Sequence, residues 1–270
     1  ALPAPLARPL AELADAATAA GTSQRRLLDV TAADGPRRLQ ASAIPVPVLG
    51  ADRDLVLLVL QDVSELEAAR QRHDDLLRDL VAALVRAVDR HDPYAGEQGV
   101  RVAAVADAVA RELGLGEADR ANLDLAATLA NVGKAALPAE LLTKAGPLDE
   151  AERALLRTHV QRSLDLLQGL PFEGPVLDVI AQKQEHLDGS GYPRGLAGDA
   201  LTLPGRILAV ANAFVALASA RAWRDGLPVR EAAAALLKDA GTRYDARVVA
   251  ALLHVVESRP EWAAWEKSRA

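Results

Sequence analysis

From Val100 to Val256 the apolar residues return at helical spacing, and glycines interrupt the run at Gly114, Gly133, Gly146, Gly169 and Gly241. The spacing predicts helices over Val100–Leu113, Glu117–Leu129, Asp149–Leu167, Val176–Glu185, Leu203–Ser219, Pro228–Ala240 and Ala246–Glu257. Such stripes are buried only when helix packs on helix, so an all-α bundle follows. Half of the 270 residues are apolar and only 3% are aromatic. The core must therefore be aliphatic, and abundant Ala and Leu favour helix.

The N-terminal quarter reads differently. A short helix is expected from about Pro9 to Ala20. Three extended segments follow, near Arg25–Val30, Arg37–Val48 and Leu55–Leu60. Turn signals separate them at Ala33-Asp34-Gly35 and Gly50-Ala51-Asp52, and Pro45 and Pro47 mark a strand end. The strands and their ending, Gln61-Asp62-Val63-Ser64-Glu65, resemble the C-terminal half of a PAS domain. An unrelated three-stranded meander is the alternative. A long helix then runs from Ser64 to about His91, with Ser64 and Glu67 placed as a capping box and Pro93 as its stop. Leu66, Ala69, His73, Leu76 or Leu77, Leu80, Leu84 and Val88 fall on one face. This is the pattern of a parallel coiled-coil dimer, or of an amphipathic helix packed on its own domain, the latter favoured after Leu80.

Charge and composition exclude several classes. Lys and Arg number 31 against 37 Asp and Glu, a net of −6, which argues against a general nucleic-acid binder. There is no cysteine, hence no disulfide and no thiolate metal site. No apolar run approaches the ~20 residues of a membrane span, and no signal peptide is visible, so a cytoplasmic setting is expected. Met is absent and the chain begins at Ala1, which suits a piece of a longer protein or a removed initiator.

The segment Glu185–Leu196 reads EHLDGSGYPRGL. It resembles the signature loop of the HD-GYP family, bacterial phosphodiesterases that hydrolyse cyclic di-GMP at a di- or trinuclear metal centre. Other segments carry the resemblance further. His91-Asp92-Pro93-Tyr94 is similar to the family's opening motif. Gly133-Lys134 closes a segment similar to the one that holds the name-giving His-Asp. Lys144-x-Gly146-Pro147-Leu148 resembles a conserved loop of the family, and Val210–Leu217 its late helix. The fold implied is mainly α, an all-helical HD-domain bundle, with a small N-terminal α/β PAS-like three-stranded segment and a connecting long helix. The divisions are residues 1–63, 64–91 and 92–270.

A multimetal hydrolytic site needs several imidazoles and carboxylates converging from different helices. The chain has five histidines, His73, His91, His159, His186 and His254, all scattered. At the seven positions where the resemblance implies ligands stand Gln98, Ala130, Asn131, His159, Lys183, Gln184 and Asn212. One histidine does not hold a metal cluster. No metal or cofactor is therefore expected, and no catalytic residue is assigned. His159 reads as structural, and His186 and His254 as exposed.

The implied function is a catalytically inactive regulator or interaction adaptor in cyclic di-GMP signalling, with a metal-free receptor for cyclic di-GMP or a related nucleotide as the alternative. A residual hydrolase built on His159, Glu185 and Lys134 ranks third. Lys134, Lys183, Arg221 and Arg224 are the candidate phosphate contacts, with structural ion pairing as the competing reading. The loop residues Asp188, Gly189, Gly191, Tyr192 and Pro193 are the candidate partner surface; the resemblance implies a GGDEF-domain protein there, with a purely structural turn as the alternative. A homodimer through residues 64–91 completes the expectations.

Overall fold

The computed structural model describes residues 4–32, 35–46, 55–91, 98–220 and 224–266. The turns expected at Ala33-Asp34 and Gly50–Asp52, Pro47, the segment Asp92-Pro93-Tyr94 and Arg221 lie outside them. Contacts divide the chain into two units, residues 1–80 and 81–270.

In the first unit helix α1 (Ala4–Ala20) lies on a three-stranded antiparallel sheet of order β1-β2-β3, formed by Gln24–Ala32, Gly35–Val46 and Leu55–Asp62. The helix begins at Ala4, ahead of the expected Pro9, and carries that proline in its second turn. Strand periodicity of two sorts the side chains. Leu28, Ala41 and Ala43 pack with Leu6, Leu10, Leu13 and Ala17 of α1, supported by Val56 and Leu58. On the other face Leu27, Ile44, Val46, Leu55, Leu57 and Val59 are exposed.

Helix α2 spans Ser64–His91. The capping box expected at Ser64 does not form. The Asp62 carboxylate accepts both the Ser64 N–H (3.0 Å) and its hydroxyl (2.6 Å), and Ser64 Oγ accepts from Arg38 N–H. These bonds, with help from Arg37, hold the Asp62 carboxyl at about 2. Leu66, Leu76, Leu80 and Leu84 are exposed, while Val88 is buried and Val81 packs against the second unit's core. The face that packs after Leu80 is therefore offset from the one the spacing predicts.

The second unit is a helical bundle around one aliphatic core. Its main helices are α3 (Gln98–Glu112), α4 (Glu117–Leu129), α7 (His159–Leu167), α8 (Val176–Gln182), α9 (Leu203–Ala218), α10 (Val229–Leu237) and α11 (Ala246–Ser258). α3 packs on α4, α9 and α11, and α8 on α4, α7 and α9. Val102, Val109, Leu123, Leu129, Ile180, Ile207, Leu208, Phe214 and Leu252 are among its fully buried residues. One short helix, α5 (Ala139–Leu142), escapes the sequence pattern, while α6 (Glu150–Arg157) falls within the expected Asp149–Leu167. The expected single helix Asp149–Leu167 is two, α6 and α7, because Thr158 N–H turns to Leu155 O, one residue short of the α-helical partner. The capping box that does form is Asp149 with Glu152, at the start of α6. Among the described residues no helix is long and apolar enough to cross a membrane.

Candidate functional site

Two features meet at the short segment that follows α8. One is the cleft where the sequence places its candidate ligand positions. The other is the Gly-rich loop.

Gln98 opens α3, Ala130 and Asn131 follow α4, His159 opens α7, and Lys183 and Gln184 follow α8. The chain turns through a 3₁₀ helix, Val132–Ala136, that carries Gly133 and Lys134. Gly133 is a packing requirement, since a Cβ there would overlap His159 O and Ser163 N. Its N–H donates to Ser163 Oγ, and that hydroxyl lies 3.0 Å from both Ala130 O and His159 O.

Lys183 is 1% exposed. Its Nζ donates to Ala130 O and, at 2.9 Å, to Asn131 Oδ1. Burial, with Lys134 nearby, pushes its amine well below the ordinary lysine range. Lys134 Nζ donates to Gln98 Oε1 at 3.3 Å. His159 is buried, with Nδ1 2.7 Å from Leu156 O. Burial first, then Lys183, holds its imidazole well below its usual pKa and therefore neutral. Asn131 Nδ2 is buried without a hydrogen-bond partner among the described residues. Gln98, Asn131 and Lys134 line a cavity of about 10 Å³ with Val85, Val88, Gly99, Thr128 and Val132, room for about one water. Asn212 is buried on α9.

This donor set does not fit a di- or trinuclear metal centre. Among the described residues no three His, Cys, Asp or Glu side chains converge. Two lysines lie in the cleft, and amides stand where anionic ligands would be needed.

The loop is held by a buried acid. Glu185, 1% exposed, accepts Arg194 N–H at 2.6 Å and Leu196 N–H at 3.1 Å. Tyr192 N–H donates to Gln184 O. A Cβ on Gly191 would overlap the backbone of Gln184–His186, and Gly189 has φ +77°. Asp188 Oδ1 accepts the Ser190 N–H. Pro193 and Asp188 face outward and the Tyr192–Pro193 peptide is cis. His186, expected to be exposed, is buried. Its Nε2 lies 3.2 Å from Arg243 Nη2, its Nδ1 3.1 Å from Ser190 Oγ, and its ring edge on Tyr244. Burial, then Arg243, lowers its pKa; since the Arg243 guanidinium can only donate, Nε2 is the acceptor and Nδ1 the donor. His254 is exposed beside Glu112.

Beside the loop Tyr192 and Pro193 line an open groove of about 600 Å³ with Arg157, Thr158, Gln161, Arg162 and Asp165. The Arg157 guanidinium lies 5.4 Å from the Tyr192 ring centroid. Burial raises the Tyr192 hydroxyl to about 12.

Of the candidate phosphate contacts, Lys134 borders the small cavity and Lys183 is enclosed. Arg224 donates to Ala216 O and Leu217 O, satisfying carbonyls at the end of α9. Sequence reasoning missed the structural work of Glu185, Ser163, Arg157 and Arg243. A carboxylate between an apolar helix and a Gly-rich turn was a usable signal for the first.

The family described as the HD domain matches residues 82–248. The chain is 35% identical over 189 residues to "3'3'-cGAMP-specific phosphodiesterase 3" of Vibrio cholerae, covering 70% of this chain and 41% of that protein. It is 36% identical over 178 residues to "Cyclic di-GMP phosphodiesterase response regulator RpfG" of Xanthomonas campestris, covering 65% and 47%. The chain thus spans less than half the length of these relatives. Among solved structures, a cyclic GMP-AMP-specific phosphodiesterase of V. cholerae superposes with TM-score 0.54 at 20% identity, covering 70% of this chain and 50% of that one. These relatives correct the functional expectation. They are named for phosphodiesterase activity, so an inactive regulator or adaptor, with a metal-free receptor as its alternative, is not where they point.

Proposed function

The chain belongs to the HD-domain family, in its HD-GYP branch, and from that premise we propose that it acts on cyclic dinucleotides, with hydrolysis of the phosphodiester the reaction to test first. The observation that carries this reading is the 35–36% identity, over 189 and 178 residues, to proteins named for cGAMP and cyclic di-GMP phosphodiesterase activity. The loop gives it local support, because the backbone of Asp188–Pro193 is fixed by buried contacts. Lys134, at the edge of the small cavity, is the cleft cation we assign to a phosphate contact, by its charge. The families of ligand named for the relatives differ in one base, so both belong in the experiment. Purified protein is incubated with cyclic di-GMP and with 3'3'-cGAMP, with and without added divalent metal, and linear products are followed by chromatography. Turnover above a no-protein control supports the reading. Absence of both turnover and measurable binding removes it.

The exposed leucines of α2, Leu66, Leu76, Leu80 and Leu84, favour a homodimer through this helix. Residues 24–65, similar to half a PAS domain, would then sit at its entrance. Replacing Leu76 and Leu80 with Glu should halve the mass seen by light scattering. An unchanged mass would count against the pairing.

A further inference from the structure

The cleft residues disagree with the metal centre that the family resemblance implies, and the geometry shows what stands there instead. We infer that Lys183 is a built-in strut that joins the end of α8 to the segment after α4, so that this helical unit holds its fold with no bound metal. The inference rests on the family assignment above, and not on whether the chain cleaves a cyclic dinucleotide.

Three observations carry it. Lys183 Nζ reaches both Ala130 O and Asn131 Oδ1, from a side chain with almost no solvent access. These two residues occupy the positions where the resemblance implies the His-Asp pair, and Lys183 itself occupies one half of the paired-His position. The same three positions are thus cross-linked by an amine and two oxygen acceptors, where a metal would be held by imidazole and carboxylate. Second, Lys134 and Gln98 close a parallel contact one turn away, at 3.3 Å. Third, the cavity between Gln98, Asn131 and Lys134 admits about one water, not a hydrated cation cluster. The unbonded Asn131 Nδ2 suits such a water, whereas a cation would need an acceptor at that point.

A buried amine with two acceptors is costly to remove alone, because Asn131 Oδ1 loses its donor and Ala130 O is left with the Ser163 hydroxyl. Lys183→Met nearly keeps the side-chain volume, is one atom shorter, and deletes the donor. On the full chain, thermal unfolding is followed with and without EDTA, and metal content is measured by elemental mass spectrometry. The expected result is a melting temperature unmoved by EDTA to within about 1 °C, metal well below one per chain, and a drop of roughly 4–8 °C for Lys183→Met that added Mn²⁺ or Ni²⁺ does not restore. Stoichiometric metal, or a melting temperature lowered by EDTA, overturns the inference. So does a Lys183→Met chain as stable as the original. The chelator arm uses the unaltered protein, so the test survives a variant that fails to fold. A chain that passes both arms yet neither binds nor cleaves cyclic dinucleotides removes the proposed function and leaves this strut in place.

Discussion

The Gly-rich loop and the cleft flank the same four residues, Gln182–Glu185, and satisfy buried polar groups with opposite signs. At Glu185 a carboxylate collects two backbone N–H groups. Two residues earlier, at Lys183, an amine meets a backbone carbonyl and an amide oxygen. The loop is specified mainly by backbone. Gly191 has no room for a Cβ, so few sequences can build it. The cleft is specified by side chains reaching from three different segments, and other residue types can complete such a network. This is a physical reason for a signature loop that stays legible while its neighbouring ligand positions read so differently.

The largest test of the contrast is Gly191→Ala. A methyl would force the backbone of Gln184–His186 to move, and we expect a loss of more than about 3 kcal/mol, read by urea unfolding. A near-neutral effect would show that the loop is more adaptable than the cleft, which reverses the comparison. Glu185→Gln is next. The amide presents one acceptor and one donor to two N–H groups, costing about 1.5–3 kcal/mol. Stability unchanged by this variant would mean that the carboxylate does not organise the loop.

The third test is pH. Folded, His159 has its pKa pushed well below 6.5 by burial and Lys183. Below 6.5 the unfolded chain binds the proton that the folded chain refuses, so stability falls as pH drops from 6.5 toward the folded value. Above 6.5 this group contributes no slope. The slope for one such group is at most about 1.4 kcal/mol per pH unit. Measured from pH 7.5 to 5, the slope should be shallower in His159→Leu than in the original chain; equal slopes would place the effect elsewhere. His186, lowered for the same first cause, adds in the same direction. The smallest effect is Arg157→Ala, where loss of the cation over Tyr192 should cost only about 0.5–1 kcal/mol while loosening the loop's outer edge. Faster amide exchange at Tyr192 is the measurement, and a larger stability loss would mean that Arg157 does more than stack.

Helical periodicity read most of the second unit, down to the ends of α4 at Glu117 and Leu129, because its stripes are apolar and long. It missed α5 because four residues carry no period, and it joined α6 to α7 because Thr158 departs from helix by a hydrogen bond and not by its side-chain type. The Ser64 capping box failed for a related reason: Asp62, two residues upstream, accepts the Ser64 N–H and hydroxyl instead. At the candidate site, residue types alone identified Lys183 as a misfit to metal. Its acceptors were not legible, since Ala130 contributes only a backbone carbonyl. Glu185 hid in the same way, because both its partners are backbone N–H groups. His186 read as exposed because Arg243 and Tyr244, which cover it, lie far along the chain.

The open sheet face of the first unit has a consequence for colloidal behaviour. Leu55, Leu57 and Val59 stand uncovered on β3 beside Ile44 and Val46 of β2. They are interrupted by Ser42 opposite Val59 and by Gln40 opposite Gln61. Ser42 and the Gln40–Gln61 pair act as gatekeepers along an otherwise adhesive stripe. Replacing them with valine would turn a wettable face into a salting-out surface, and the chain would leave solution at lower sulfate concentration with its fold intact.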